Sequence, residues 1–242
     1  MEIINRLQDI FKIHYRHNNI LLINADCMEV MRHILDKEID LVICDPPYGI
    51  GKDGQTQSTG GNGGRKAHEF KGWDSSIPEP EYFKELFRLS KNQVIWGANY
   101  MTPYLPPSMG WIFWDKGQRI NQSDGELAFT SFEKALRVFE INRVELLKEG
   151  TIHPTQKPIK LYEWILTSYA KPGQLILDTH LGSGSNAIAA YNFKASFIGV
   201  EIDCDYFQSS VERFIKSTRQ TTMFELTDLC RPVQESIPIK IT

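Results

Sequence analysis

The chain is poor in cysteine. Its 242 residues hold four, Cys27, Cys44, Cys204 and Cys230. None are paired at metal-ligand spacing, and a chain this long does not depend on disulfides for a core. They read as reduced thiols, and no metal site is expected. An apolar leader is also lacking: Glu2, Arg6, Asp9 and Lys12 interrupt the first twenty residues. No run approaches the ~20 apolar residues of a membrane span. Internal repeats are absent. There is no excess of basic charge, with 27 Lys+Arg against 30 Asp+Glu and a net charge of −3. That excludes a histone-like protein or a basic arm, but leaves room for a nucleic-acid enzyme whose cations cluster on one face. These absences point to a soluble cytoplasmic protein. What is present is 41% hydrophobic and 24% charged residues, enough for one α/β domain spanning 1–242.

Apolar spacing yields a run of short elements. Ile3, Leu7, Ile10 and Phe11 fall at helical spacing, and Ile20 to Ile23 reads as a strand. Met28 to Leu35 reads as a helix capped by Asp26. Leu41 to Cys44 is a β-branched-rich strand stopped by Asp45-Pro46-Pro47-Tyr48. A helix at Glu81–Leu89 precedes strands at Gln93–Gly97, Gly110–Trp114, Leu127–Thr130 and Lys134–Phe139. An amphipathic helix at Ile159–Tyr169 follows. Then come a strand at Leu175–Leu177, a helix at Ser185–Tyr191, a strand at Phe197–Val200 and a helix through Tyr206–Ile215. The tail after Thr218 reads as irregular. Alternation of strands and helices predicts a doubly wound, mostly parallel sheet, with ligands at the carboxyl ends of its strands. Asp26, Asp45, Asp178 and Glu201 all fall just past predicted strands. They would repel one another unless cationic or hydrogen-bonding ligands occupied that edge.

Gly49 to Gly72 breaks the composition, holding eight of the seventeen glycines. It reads as a mobile loop. Lys52, Arg65, Lys66, His68 and Lys71 suit it to closing over a nucleic-acid backbone. Trp96, Trp111 and Trp114 fall on apolar runs, which favours the core over stacking platforms.

Leu175 to Ser185 is a strand, a glycine turn (Gly182-Ser183-Gly184) and a helix start. Glycines there let a backbone approach a ligand closely. Glu201 ends the next strand, where a carboxylate takes ribose hydroxyls. The pattern fits a nicotinamide dinucleotide or S-adenosylmethionine. Ser185 follows Gly184, so the three-glycine pyrophosphate fingerprint is incomplete. A sulfonium cation without phosphates suits the acidic edge better.

Asp45-Pro46-Pro47-Tyr48 carries the sharpest chemistry. An exocyclic base amine is a poor nucleophile, because its lone pair is delocalised into the ring. A carboxylate and a carbonyl held rigidly can accept its hydrogens as it becomes tetrahedral. Asp45 and Pro46 offer these. The prolines fix the turn and hold Asp45 extended. Tyr48 offers a ring on which an extruded base can stack.

Together these residues resemble the amino-methyltransferases of DNA, the N6-adenine and N4-cytosine group. Asp45 to Tyr48 matches the family's catalytic motif, and Asp178 to Ser185 its cofactor motif. His153-Pro154-Thr155-Gln156-Lys157-Pro158 matches a further motif beside the cofactor. The catalytic motif comes first, which is the order of the beta class. The resemblance implies that Asp45, Pro46, Pro47 and Tyr48 act on the base. It implies a cofactor, S-adenosyl-L-methionine, lined by Asp178, His180, Gly182, Ser183, Gly184 and Ser185. Glu201 would take its ribose and Asp26 its adenine ring. His153, Thr155 and Lys157 would approach the methionine end, with Lys157 pairing with the carboxylate. Ser123-Asp124-Gly125-Glu126 resembles a weaker family segment and is taken as structural. Two departures stand out: Thr179-His180 replaces Pro-Phe after the motif aspartate, and the region between Tyr48 and His153 is short for a full recognition domain.

The expected activity is methyl transfer to N6 of a flipped-out adenine in DNA. Residues 49–72 and about 96–142 would supply target recognition within a small inserted DNA-contacting region. The motif's aspartate favours adenine, and N4 of cytosine is the nearest alternative. An RNA or protein amine acceptor, a catalytically idle DNA-binding module and a nicotinamide oxidoreductase are the others. DNA is the expected partner, with a homodimer and a cognate restriction endonuclease added by the resemblance.

Overall fold

The computed structural model describes residues 2–54, 69–117, 123–141 and 150–219. Arg65, Lys66, His68, Cys230 and the tail from residue 220 lie outside them. So do parts of the 49–72 and 96–142 regions.

Nine strands among the described residues form one sheet. In chain order the elements are α1 (Glu2–Ile10), β1 (His14–His17), β2 (Ile20–Asn24), α2 (Cys27–Met31) and β3 (Ile39–Cys44). Next are α3 (Pro80–Leu89), β4 (Ser90–Trp96), β5 (Trp111–Asp115), β6 (Gly125–Thr130) and β7 (Arg137–Glu140). The last are α4 (Ile159–Tyr169), β8 (Leu175–Asp178), α5 (Ser185–Asn192), β9 (Ser196–Glu201) and α6 (Cys204–Thr218). The strand order is β1-β2-β9-β8-β3-β4-β6-β5-β7. The five central strands, β2 to β4 in that order, run parallel. β1 pairs antiparallel with β2, and β6 lies antiparallel between β4 and β5.

Each central strand is apolar on both faces, as a doubly covered parallel sheet requires. Ile20, Leu22, Leu41, Ile43, Ile176 and Phe197 point to one side, where Leu161, Ile165, Ala187 and Phe214 of α4 to α6 cover them. Leu21, Ile23, Val42, Leu177 and Ile198 point to the other, against Ile4, Leu7, Phe83 and Leu86 of α1 and α3. Trp96 and Trp114 are buried in this core, as their apolar surroundings predicted. Among the strands, β1 went unpredicted: its His-Tyr-Arg-His sequence has no apolar alternation and is a strand only through pairing with β2. α2 is shorter than predicted, with the cap in place: the Asp26 carboxylate accepts from the Met28 N–H at 2.7 Å.

From the sheet's centre, β3 leads outward to β4 and β8 leads the opposite way to β9. The crevice at such a switch, beyond the carboxyl ends of the strands, is where open α/β sheets bind ligands. Here β3 ends one residue before Asp45, and Asp178 is the last residue of β8. Among the described residues, no helix is long and apolar enough to cross a membrane.

Phe197 is fully buried in β9. Phe197→Ala is expected to cost about 3–5 kcal/mol in the free energy of urea unfolding. A loss below about 1 kcal/mol, well under the usual cost of such a truncation, would show that this strand is not the packed centre described.

Candidate active site

Two cavities open at the switch point. The first, about 460 Å³, lies over the glycine turn and is walled by His153, Leu181, Gly182, Glu201 and Tyr206. The second, about 690 Å³, lies over the Asp45 turn and includes Tyr48, Tyr100, Trp114 and Glu126. Asp45, Pro47, Trp73, Thr155, Gln156 and Lys157 line both.

The floor of the first cavity is built by hydrogen bonds to backbone. Glu201, at the end of β9, accepts from the Gly182 N–H at 2.8 Å and the Asp203 N–H at 3.0 Å. Gly182 and Gly184 both take positive φ, 51° and 73°, which favours glycine at each. Asp178 sits beneath, accepting from the His180 N–H at 3.0 Å and the Asn186 side chain at 2.9 Å. The same Asn186 amide reaches the Ile43 carbonyl of β3 at 3.1 Å, so one side chain ties the two strands at the switch. Burial raises Asp178 to about 7 and lowers His180 to about 4. Ser185 donates to the Lys157 carbonyl at 2.7 Å.

The roof comes from elsewhere. Trp73 stacks on His153 at 5.4 Å, and His153 meets Tyr206 edge-on at 4.4 Å. Lys71 pairs with Asp203 and Asp205 and lies 4.7 Å from the centre of the Tyr206 ring.

The second cavity holds a chain of alternating charges. Lys157 is buried, its side chain only 2% exposed. Its ammonium pairs with Asp45, lies 3.0 Å from a Glu126 oxygen and 3.2 Å from the Tyr48 hydroxyl. Glu126 in turn pairs with Lys116 at 2.6 Å. Tyr48 donates to the other Asp45 oxygen at 2.6 Å. Burial works against every charge here, but the neighbours decide the outcome. Lys157 and Lys116 hold Glu126 down at about 2. Asp45 and Glu126 outweigh burial to hold Lys157 above the ordinary lysine range. For Asp45 burial wins and raises it, against the pull of Lys157.

Tyr48 is fixed from three sides. The Asp74 carboxylate accepts from the N–H groups of Tyr48 (2.7 Å), Gly49 (2.8 Å) and Lys52 (2.7 Å). Tyr100 stacks on its ring at 5.4 Å. Gly97, with φ 65°, passes so close that a Cβ would lie 2.0 Å from a ring carbon.

The structure thus gathers most of the residues singled out in the sequence. Asp45, Pro47, His153, Thr155, Lys157, His180, Gly182, Ser183 and Glu201 line the first cavity. Pro46 and Tyr48 line the second. Asp178, Gly184 and Ser185 sit behind the first cavity's wall rather than on it. Asp26 lines neither cavity, and its carboxylate caps α2. Lys157, expected at a cofactor carboxylate, has its ammonium on Asp45 and Glu126. Glu126, taken as structural, stands in the second cavity, while Lys71, read as a nucleic-acid contact, lines the first. Nothing in the sequence pattern singled out Asp74, whose partners lie 22 to 26 residues away. In the described part of the glycine-rich segment, Asp53 and Asp74 tie the two ends together: Asp53 accepts from Gly72.

Residues 109–212 match the DNA methylase model of the N6/N4 family. The chain is 26% identical over 238 residues to the type II methyltransferase M.HpaI of Haemophilus parainfluenzae, covering 79% of this chain and 73% of that one. It is 24% identical to the DNA adenine methyltransferase YhdJ of Escherichia coli K12, covering 79% and 81%. Among solved structures, M1.HpyAVI in complex with SAM superposes with a TM-score of 0.55 at 21% identity, covering 80% of this chain and 99% of that one. The cytosine-N4-specific PvuII DNA methyltransferase gives 0.60 at 14%, covering 90% and 94%. At those identities the two structures establish the shared fold.

Asp178 is expected to titrate near 7 by carboxyl ¹³C NMR. Its pKa is raised on folding, so its own contribution to stability is full below about pH 4 and is lost as pH climbs toward 7. A midpoint near 4 would mean that the carboxylate is solvated and the switch-point packing is wrong.

Proposed function

We propose that this chain, a relative of the DNA methylases of the N6/N4 group, transfers a methyl group from S-adenosyl-L-methionine to the exocyclic amine of a DNA base, N6 of adenine. One observation carries the reading: the two cavities meet along a shared wall of Asp45, Pro47 and Lys157. A donor held over the glycine turn and a base held over Tyr48 would face each other there.

The first cavity suits this donor. Its volume falls in the range of cofactor sites, roughly 300–1,000 Å³. The Glu201 carboxylate is preset for a ribose by two backbone N–H groups. Three carboxylates, Asp45, Glu201 and Asp203, line the cavity against two ammoniums, Lys71 and Lys157, a balance that favours a cation over a pyrophosphate. His153, Thr155, His180, Gly182 and Ser183 are the remaining contacts proposed, with Asp178, Gly184 and Ser185 holding the turn. Bound S-adenosylmethionine supplies a methyl group activated by its sulfonium.

The chain's own residues act on the acceptor. Asp45 accepts a hydrogen from the amine as the nitrogen becomes tetrahedral, and the Pro46 carbonyl accepts the other. Tyr48, held by Asp74 and Gly97, offers the stacking ring for a base extruded from the duplex. Since displacement at carbon needs no covalent help from the protein, the rate comes from positioning.

Adenine is preferred because the motif begins with aspartate. The PvuII likeness in fold favours cytosine N4 as the second reading. The relation to type II methyltransferases supports a partner restriction endonuclease, and a homodimer stays a proposal from the family resemblance. Residues 49–72 and 96–142 are proposed to carry target recognition within a single domain.

Labelled methyl transfer to unmethylated DNA, followed by nucleoside chromatography, is expected to yield N6-methyladenine. Label in N4-methylcytosine would change the base and keep the mechanism. No label on any DNA would refute the activity. Asp45→Ala should abolish transfer and spare cofactor binding. Glu201→Ala should weaken cofactor binding by roughly 1.5–3 kcal/mol, as loss of a charged hydrogen-bond acceptor does. Unchanged affinity would place the ribose elsewhere.

A further inference from the structure

The Lys157 ammonium is shared between two carboxylates. Asp45 holds one side, and Glu126 lies 3.0 Å away on the other. A single carboxylate would have been enough to neutralise it. Glu126 has its own cation in Lys116, at 2.6 Å, so it is not present to balance Lys157 alone. The result is a line of alternating charge, Lys116, Glu126, Lys157, Asp45, entering the second cavity from β5 and β6 and ending on the motif aspartate. Trp96 and Tyr48 flank the ammonium at 5.2 and 5.6 Å from their ring centres, which confines it to the path between the carboxylates.

The amine of an incoming base needs an Asp45 oxygen. Tyr48 already donates to Oδ1 and Lys157 to Oδ2. An ammonium held by Asp45 alone would compete with the amine directly. With Glu126 beside it, the ammonium has a second partner within hydrogen-bond distance.

We propose that Glu126 is a positioning residue of the transfer site, drawing the Lys157 ammonium back so that Asp45 accepts the hydrogen of the amine. The inference rests on the methyl-transfer reading above. Lys157 thereby belongs with the base-acting residues rather than with the cofactor's carboxylate.

The other groups acting on Asp45 are Tyr48 from the motif turn, Tyr162 from α4, Asp178 from β8 and Cys44 from β3, with Lys116 one step farther out on Glu126. Glu126 raises the pKa of Asp45, and Lys157 lowers it. Removing each should therefore move the acid limb of the pH profile in opposite directions. Single-turnover methyl transfer is followed against pH in wild type, Glu126→Gln and Lys157→Gln, with cofactor affinity measured alongside. Glu126→Gln should slow transfer roughly 100-fold, the cost of a misplaced group of this kind, with cofactor affinity unchanged. Relative to its own plateau, its acid limb should move to lower pH, and that of Lys157→Gln to higher pH. Glu126→Asp keeps the charge and withdraws it by one methylene. It should shift the limb in the same direction as Gln but by less, which covers the case of a poorly folded Gln variant. A limb unmoved in both Glu126 variants, or moving with that of Lys157→Gln, would overturn the assignment and leave Glu126 a packing residue. Wild-type protein that methylates no DNA would overturn the methyl-transfer reading, and this inference with it.

Discussion

The pairing of Lys157 with Asp45 is the constraint around which the site is organised. A buried lysine without a counter-ion either loses its proton or unfolds its surroundings, and removing one partner of a buried pair typically costs about 3–5 kcal/mol. The partners here come from separated stretches of the chain. Asp45 follows β3, Glu126 lies on β6 and Lys157 precedes α4. Lys116 follows β5. The full network can form only when the central sheet, its antiparallel extension and the segment before α4 are all in place. Ser185 then pins the Lys157 backbone from the start of α5. The two cavities thus share one electrostatic joint.

Four acidic residues at the ends of adjacent strands repel one another unless something neutralises them. The chain resolves most of this by itself. Asp26 takes a helix N–H, Asp178 takes Asn186 and a backbone N–H, Glu201 takes two backbone N–H groups, and Asp45 takes Lys157 and Tyr48. Each carboxylate is satisfied locally and differently. Burial still raises Asp45, Asp178 and Glu201 alike, Asp178 to about 7. An edge built this way is preorganised before anything binds, which is the condition under which fixed charges stabilise a transition state without reorganising.

Much of the fold was legible because hydrophobic period is a local property. The strands Ile20–Asn24, Ile39–Cys44 and Ser196–Glu201 and the helix Ile159–Tyr169 announce themselves within their own residues. The motif turns were legible for a related reason: Asp45-Pro46-Pro47 and Gly182-Ser183-Gly184 restrict the backbone wherever they occur. What stayed hidden depends on distant partners. β1 exists only through β2. Glu126 finds Lys157 across 31 positions, and Lys71 finds Asp203 across 132. A lysine in a motif says that a cation is wanted but not which carboxylate it will meet, and here it meets Asp45 and Glu126. Asp74 illustrates the limit most clearly. An aspartate in a polar stretch has no periodicity to mark it, yet it sets the backbone of Tyr48.

The stretch that looked like an insertion between the catalytic and cofactor motifs is, in its described part, integral to the sheet. β4 to β6 continue the hydrogen-bonded ladder outward from β3, and β7 closes it. Gly97 gives Tyr48 the room that no larger residue would, and Tyr100, three residues on, stacks against it. β6 carries Glu126, and Lys116 lies one residue past β5. The strands proposed to carry base recognition are therefore the ones whose charges reach Asp45 through Lys157. Strands built into the sheet in this way are not a loose module. A change in the curvature or register of β5 and β6 would move Lys116 and Glu126, hence Lys157, hence Asp45. On the proposed reading, selectivity for the base and competence toward its amine are mechanically linked.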